Sequence, residues 1–160
     1  MDTKEGSGGH RTPRAVGFLL AQVGAHAASR FAEGTAALDL TPAQAGLLRA
    51  LVFRPGRSQR ELADDLGMPP SRFVQFADKL EERGLIERKR NPDDRRLHAL
   101  YLTPKGQATL GELGAVAIKN EAQLCRSLTD EEHQQLAELL GRIAADQGLT
   151  PGIHPGYKSV

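Results

Sequence analysis

The 160-residue chain has one cysteine and no apolar stretch near the roughly 18 residues that a membrane helix needs. Its N-terminus, MDTKEGSGGHRTPRA, has no apolar segment ahead of a small-residue cleavage site. Cys125 therefore has no partner for an internal disulfide and cannot belong to a four-thiolate metal site. Nothing points to export or membrane insertion, and the cytoplasm is the expected location. The histidines, His10, His26, His98, His133 and His154, are scattered with no pair at i, i+4 spacing, so a metal site would have to be assembled between distant elements. A nucleophile elbow and a phosphate-binding loop are also missing, since Gly6-Ser7-Gly8-Gly9 is followed by neither Lys-Ser/Thr nor a helix. These absences argue against an enzyme, a resident cofactor and a metal.

The composition, 39% hydrophobic and 26% charged, suits one soluble folding unit with its own core. A net charge of +1 would by itself argue against a polyanionic partner. The distribution says otherwise. Between Arg54 and Lys105 there are 12 Lys/Arg against 9 Asp/Glu, and between Gly106 and Gln147 there are 3 against 7. A basic middle and an acidic C-terminal part imply two surfaces with different partners, the alternative being ordinary variation of charge along a chain.

Residues 1 to about 12 are rich in glycine and charge and are expected to be a disordered tail. From Pro13 or Arg14 a helix is expected, with Val16, Leu19, Leu20, Val23, Ala27 and Phe31 on one face; Gly17, Gly24 and Gly34 weaken it, so it needs packing. Thr41 and Pro42 read as the cap and first position of a second helix that buries Leu47, Leu48, Leu51 and Val52. Ser58 and Glu61 form a capping box for a short helix ending at Gly67, and Met68-Pro69-Pro70 turns into the next. In that helix Phe73, Phe76, Ala77 and Leu80 face inward, while Ser71, Arg72, Gln75, Asp78, Lys79 and Glu82 face outward. Gly84 is placed as a left-handed cap. Ile86 to Arg90 and Leu97 to Leu102 read as paired strands around Asn91-Pro92-Asp93-Asp94. Thr103-Pro104 opens a long helix with apolar positions at Leu110, Leu113, Ala117, Leu124 and Leu128. A second capping box at Thr129 and Glu132 opens a last helix striped by Leu136, Leu139, Leu140 and Ile143. The expected fold is mainly α with a small β-wing.

Two short helices joined by a tight turn, then a β-hairpin, make a winged helix-turn-helix pattern. Such a pair can place the second helix in a DNA major groove and the wing near the adjacent minor groove. On the helix, Ser71, Arg72 and Gln75 are candidates for base edges, because Arg matches guanine and Gln matches adenine; Lys79 suits a phosphate. On the wing, Arg95 and Arg96 follow Arg88, Lys89 and Arg90, a dense cationic group suited to the negative potential of a narrow minor groove, with Asp94 placed to hold Arg96. The bland reading is a solvated helix face and an ordinary hairpin with exposed ion pairs of small worth.

The stretches LTPAQAGLLRAL, RSQRELADDLGM, SRFVQFADKLEERGLIERKRNPDDRRLHALYLTPKG and LTDEEHQQLAELL resemble the multiple-antibiotic-resistance regulator (MarR) family of bacterial transcription factors over nearly all of residues 14 to 147. The most specific part is Asp94-x-Arg96 followed by Leu102-Thr103, which is similar to the family's wing signature. The resemblance implies a winged helix-turn-helix lobe over residues 41–103, with dimerisation helices over residues 13–40 and 104–147 and a C-terminal tail over residues 148–160. It implies a homodimer reading a palindromic operator in double-stranded DNA through two recognition helices, with Arg96 and Arg95 entering flanking minor grooves. It further implies repression relieved by a small effector, often an aromatic or phenolic acid, bound where the dimerisation helices meet the DNA-binding lobe. Departures from the pattern are Pro69-Pro70 in place of Asp-Arg before the recognition helix, Val74 where a small hydroxyl residue is frequent, and Ala45 where a larger aromatic often stands. The alternative function is a winged-helix module that binds a protein partner and no longer DNA.

Overall fold

The computed structural model describes residues 15–53, 55–91 and 98–153. Four helices begin where a hydroxyl side chain precedes a first turn. Thr41 Oγ1 accepts the Gln44 N–H at 3.2 Å while Gln44 Oε1 accepts the Thr41 N–H at 2.9 Å, opening α2 (Pro42–Phe53). The same reciprocal pair forms between Ser58 and Glu61 for α3 (Gln59–Leu66) and between Thr129 and Glu132 for α6 (Asp130–Asp146). At α5 (Pro104–Leu124), Thr103 Oγ1 accepts the Gly106 N–H at 3.0 Å. Each cap satisfies backbone donors that a helix start would otherwise leave open.

The remaining elements are α1 (Val16–Ala36), α4 (Pro70–Glu82), β1 (Ile86–Arg90) and β2 (His98–Leu102). The two strands are antiparallel, with Ile86 opposite Leu102 and Arg90 opposite His98. The segment before α3 lies along the far side of β2: Leu100 donates to the Arg57 carbonyl at 3.2 Å, Gly56 donates to the Leu100 carbonyl at 3.3 Å, and Ser58 bridges Ala99. The hairpin is thereby stitched to the start of α3 as well as packed under α4.

Leu47, Leu48, Leu51, Leu62, Leu66, Phe73, Leu80, Leu85, Ile86 and Leu100 are at most 2% exposed and form one core between α2, α3, α4 and the hairpin. Val52, expected inside, is 47% exposed. The core side of α2 follows Ala43, Leu47, Leu48 and Leu51, and Val52 is rotated off that stripe by about 100° from its neighbour. Phe76 is only partly buried. Gly67 closes α3 at φ +64°, which lets Met68 donate to the Ala63 carbonyl at 2.8 Å and the chain turn sharply into α4. Arg83 then ties the end of α4 to the turn after α1, donating to the Leu38 carbonyl at 3.1 Å and to the Asp39 carbonyl.

The long helix α5 starts against the end of the winged region. Thr103 donates its N–H to the Leu85 carbonyl at 3.1 Å and its hydroxyl to the Gly84 carbonyl at 2.6 Å, and Lys105 Nζ donates to the Arg83 carbonyl at 2.7 Å. Gly106 is buried there, and a Cβ on it would run into the Leu85 carbonyl oxygen. Further along, Gly34 lets α1 lie close to α5, where a Cβ would strike Val116. The outer helices are otherwise poorly covered, and α6 buries no residue. Ile153, in the stretch expected to be a loose tail, is partly buried against the core. No described helix is long and apolar enough to cross a membrane.

The Ser58 cap generates a prediction. The Ser58 N–H and hydroxyl, each 2.8 Å from Glu61 Oε2, hold the Glu61 carboxyl below its ordinary value, and Arg57 adds to this. Ser58→Ala should lower stability by about 1 kcal/mol in urea denaturation. Since the folded state depresses the Glu61 pKa, its contribution is complete above the unfolded-state value and lost as pH falls through the lower folded value. Glu61→Gln should therefore show a flatter acid limb of stability against pH than the wild type; equal slopes would remove Glu61 from acid unfolding.

Candidate nucleic-acid interface

On α4 the core side is Phe73, Ala77 and Leu80, which leaves a continuous outer face. Ser71, Arg72, Gln75 and Lys79 are all exposed on it. Arg72, Gln75 and Lys79 fall at i, i+3 and i+7 and border one recess with Thr41 and Gln44 at the start of α2, so the two helix ends present their polar groups together. Ser71 sits in the exposed first turn. The helix is rigidly mounted, because Pro70 opens it, Gly67 and Met68 hold its entry and Arg83 holds its exit. Its side chains project from a fixed frame.

Val74 lies on the same outer face and is 43% exposed. It borders a recess with Gln59 and Arg60 of α3 and His98 of β2. Sequence reasoning left it out of the contact set because it looks for polar groups. An apolar side chain projecting from a recognition helix is the group that meets a thymine methyl. The signal was present as a valine interrupting a polar helical face.

The strand cations divide. Arg88 is half-buried and fully occupied: its guanidinium pairs with Asp78 at 2.6 Å and with Glu81, and reaches Gln59 at 3.4 Å, while its N–H donates to Glu81 at 3.1 Å. It therefore ties β1 to α3 and α4 and leaves the cationic group read from the sequence. The same contact pairs Asp78, which stays about half exposed, with a positive charge and so offsets its negative charge on the outer side of α4. Lys89 pairs with Glu87 at 2.7 Å and lies 5.4 Å from the Tyr101 ring centre. Arg90 is exposed at the end of β1. Asp94, Arg95 and Arg96 lie outside the described residues.

A third recess, about 660 Å³, opens where α1, α2 and α5 meet. Phe31, Ala117 and Leu124 supply its apolar wall, and Arg30, Arg49 and Arg126 outnumber the one acid, Glu121, in its lining; His26 is also on its rim. Ala45 is buried in the core. At the end of α5, His133 Nε2 lies 2.7 Å from Glu121 Oε1 and Cys125 Sγ lies 3.8 Å from the same oxygen. Burial pushes the Cys125 thiol up, and the Glu121 carboxylate adds to this.

A sequence model of the MarR family matches residues 38–97. A protein of Thauera aromatica, assigned as the transcriptional regulatory protein for the hcr operon, is 33% identical over 112 residues, which is 70% of this chain and 68% of that one. Among solved structures, the transcriptional repressor CouR bound to a 23-mer DNA duplex is 38% identical with a TM-score of 0.70, covering 81% of this chain and 92% of that chain. A MarR family protein of Mycobacterium tuberculosis in complex with DNA is 26% identical with a TM-score of 0.69, over 81% and 97% of the two chains. Wild-type MarR of E. coli in its apo form gives a TM-score of 0.72 at 25% identity, over 81% and 96%.

The placement of Arg88 separates it from its strand neighbour. Arg88→Met should lower the urea midpoint by the equivalent of about 1 kcal/mol, since Glu81 and Asp78 lose a shared partner but remain within reach of water. Arg90→Met should leave stability unchanged. Equal effects of the two substitutions would contradict the distinction.

Proposed function

The chain belongs to the MarR family of transcriptional regulators, and from that premise we propose that it acts as a homodimer on a palindromic DNA operator, repressing a nearby gene until a small ligand releases it. The observation that carries this reading is the outer face of α4, where Ser71, Arg72, Val74, Gln75 and Lys79 project from a frame held at both ends. Ser71, Arg72, Val74 and Gln75 meet base edges, and Lys79 meets a phosphate. Residues 41–103 form the DNA-binding lobe. Arg95 and Arg96, positioned with the help of Asp94, take the flanking minor grooves, as the family's wing signature implies. The relatives solved on DNA support the same partner.

Exposed apolar side chains support the dimer. Val16, Phe18, Leu19, Leu20 and Val23 of α1 are 39% to 68% exposed, and Leu136, Leu139, Leu140 and Ile143 of α6 are 37% to 45% exposed. So many apolar groups along two outer helices are unusual for a protein that works as a monomer. Residues 13–40 and 104–147 would form the interface. The recess holding Phe31 and Leu124 beside Arg30, Arg49 and Arg126 suits a small aromatic anion, and it lies between the long helix and α2, where occupancy can alter the angle of the DNA-binding lobe. The protein would act in the cytoplasm, where its operator is.

Titration of the protein against the DNA upstream of its own gene, followed by fluorescence anisotropy at two salt concentrations, tests the reading. Binding should be saturable and fall steeply as salt rises. Arg72→Ala should cost about 1–3 kcal/mol and relax choice at one base position, and Lys79→Ala should weaken all sequences alike and reduce the salt slope by about 1. Failure on that DNA and on any sequence recovered from a random pool would turn the assignment toward a protein-binding module. Sedimentation tests the assembly separately: Leu136→Asp combined with Leu140→Asp should convert a dimer to a folded monomer, and a persistent dimer would place the interface elsewhere.

A further inference from the structure

The turn from α5 into α6 brings together three side chains of different donor chemistry. Glu121 and Cys125 lie one helical turn apart on the same side of α5, and His133 is in the first turn of α6. Their ligand atoms, a carboxylate oxygen, a thiol sulfur and an imidazole nitrogen, all lie within 4.8 Å of one another. The backbone that carries them is held at successive points. Cys125 donates its N–H to the Glu121 carbonyl at 2.9 Å, Leu128 donates to the Cys125 carbonyl at 2.9 Å, and the Thr129–Glu132 capping box opens α6. His133 in turn donates its backbone N–H to the Thr129 carbonyl at 2.9 Å.

We propose that Glu121, Cys125 and His133 form a binding site for one divalent transition-metal ion of the zinc class. The donor set selects the ion. A thiolate and an imidazole favour zinc and its neighbours over magnesium or calcium, which take oxygen ligands. Zinc bonds of about 2.3 Å to sulfur and about 2.0–2.2 Å to nitrogen and oxygen space tetrahedral donors by roughly 3.4–3.6 Å. Cys125 and Glu121, at 3.8 Å, are already near that spacing, and the 2.7 Å contact between Glu121 and His133 has to open by less than about 1 Å, a small rotation of a half-exposed carboxylate. On binding, the Cys125 thiol releases its proton to solvent and the ion takes its place against Glu121. The three side chains line one groove with Asp130 and Arg126, which leaves room for water as a fourth ligand. With Glu121, the Cys125 thiolate and Asp130 facing one arginine there, the local charge favours a cation.

The test uses the full chain, reduced, stripped with a chelator and titrated with Co²⁺. The expected result is saturation at one Co²⁺ per chain, with a sulfur-to-cobalt charge-transfer band in the near ultraviolet and d–d absorption as intense as four-coordination gives, both abolished by added Zn²⁺. Cys125→Ser should erase the charge-transfer band, and His133→Gln should weaken Co²⁺ binding by about tenfold or more, with unchanged far-ultraviolet circular dichroism. A wild-type titration without the thiolate band overturns the proposal. So does undiminished affinity in both His133→Gln and Glu121→Gln, which would leave Cys125 binding metal alone. The measurement involves no DNA, so its outcome is independent of operator binding.

Discussion

At the Leu85 carbonyl the winged region and the long helix α5 come into contact, and the geometry of everything else follows from how closely they meet. The carbonyl accepts the Thr103 N–H, and the buried Gly106 packs against it with no room for a side chain. Three backbone carbonyls in a row, those of Arg83, Gly84 and Leu85, are used by Lys105 and Thr103. These are the groups that the end of α4 and the start of β1 would otherwise leave to solvent. The junction therefore does two things at once. It finishes α4 and it aims the 21-residue α5 away from the hairpin.

Within the lobe, charge is sorted by burial. Arg88 is drawn under α4 by Asp78 and Glu81, and Arg83 is held by carbonyls of the preceding turn, so both serve the fold. Arg72 and Lys79 stay outside, exposed on the outer side of α4. The consequence is an outer face on which one acid, Asp78, is offset by a cation drawn beneath the helix. A net charge of +1 for the whole chain says little about that local field.

The outer helices have the opposite character. Their apolar stripes are regular, yet in the single chain α6 buries nothing and α1 buries only Thr35. They touch the core of the lobe at few points, through Phe31 of α1 and through Leu110 and Leu113 of α5. The α5–α6 turn, by contrast, is tightly organised by its caps, and it is here that Glu121, Cys125 and His133 converge.

The features legible in the amino-acid sequence were those decided within a few residues. Every cap at Thr41, Ser58, Thr103 and Thr129, the helix end at Gly67, the left-handed Gly84 and the strand Ile86–Arg90 were readable, because each depends on hydrogen bonds or φ values set by near neighbours. The outward placement of Ser71, Arg72, Gln75 and Lys79 followed from helical periodicity in the same way. Tertiary structure alone decided which cation was free, which apolar residue was exposed and which ligands met. Arg88 reaches partners 7, 10 and 29 residues away, and His133 meets Glu121 across 12 residues and a helix turn. Val52 and Val74 stand outside because packing chose one stripe of each helix for the core. Local bonding is set by spacing along the chain, whereas these contacts depend on the angle at which whole helices pack, a quantity that no short stretch of sequence contains.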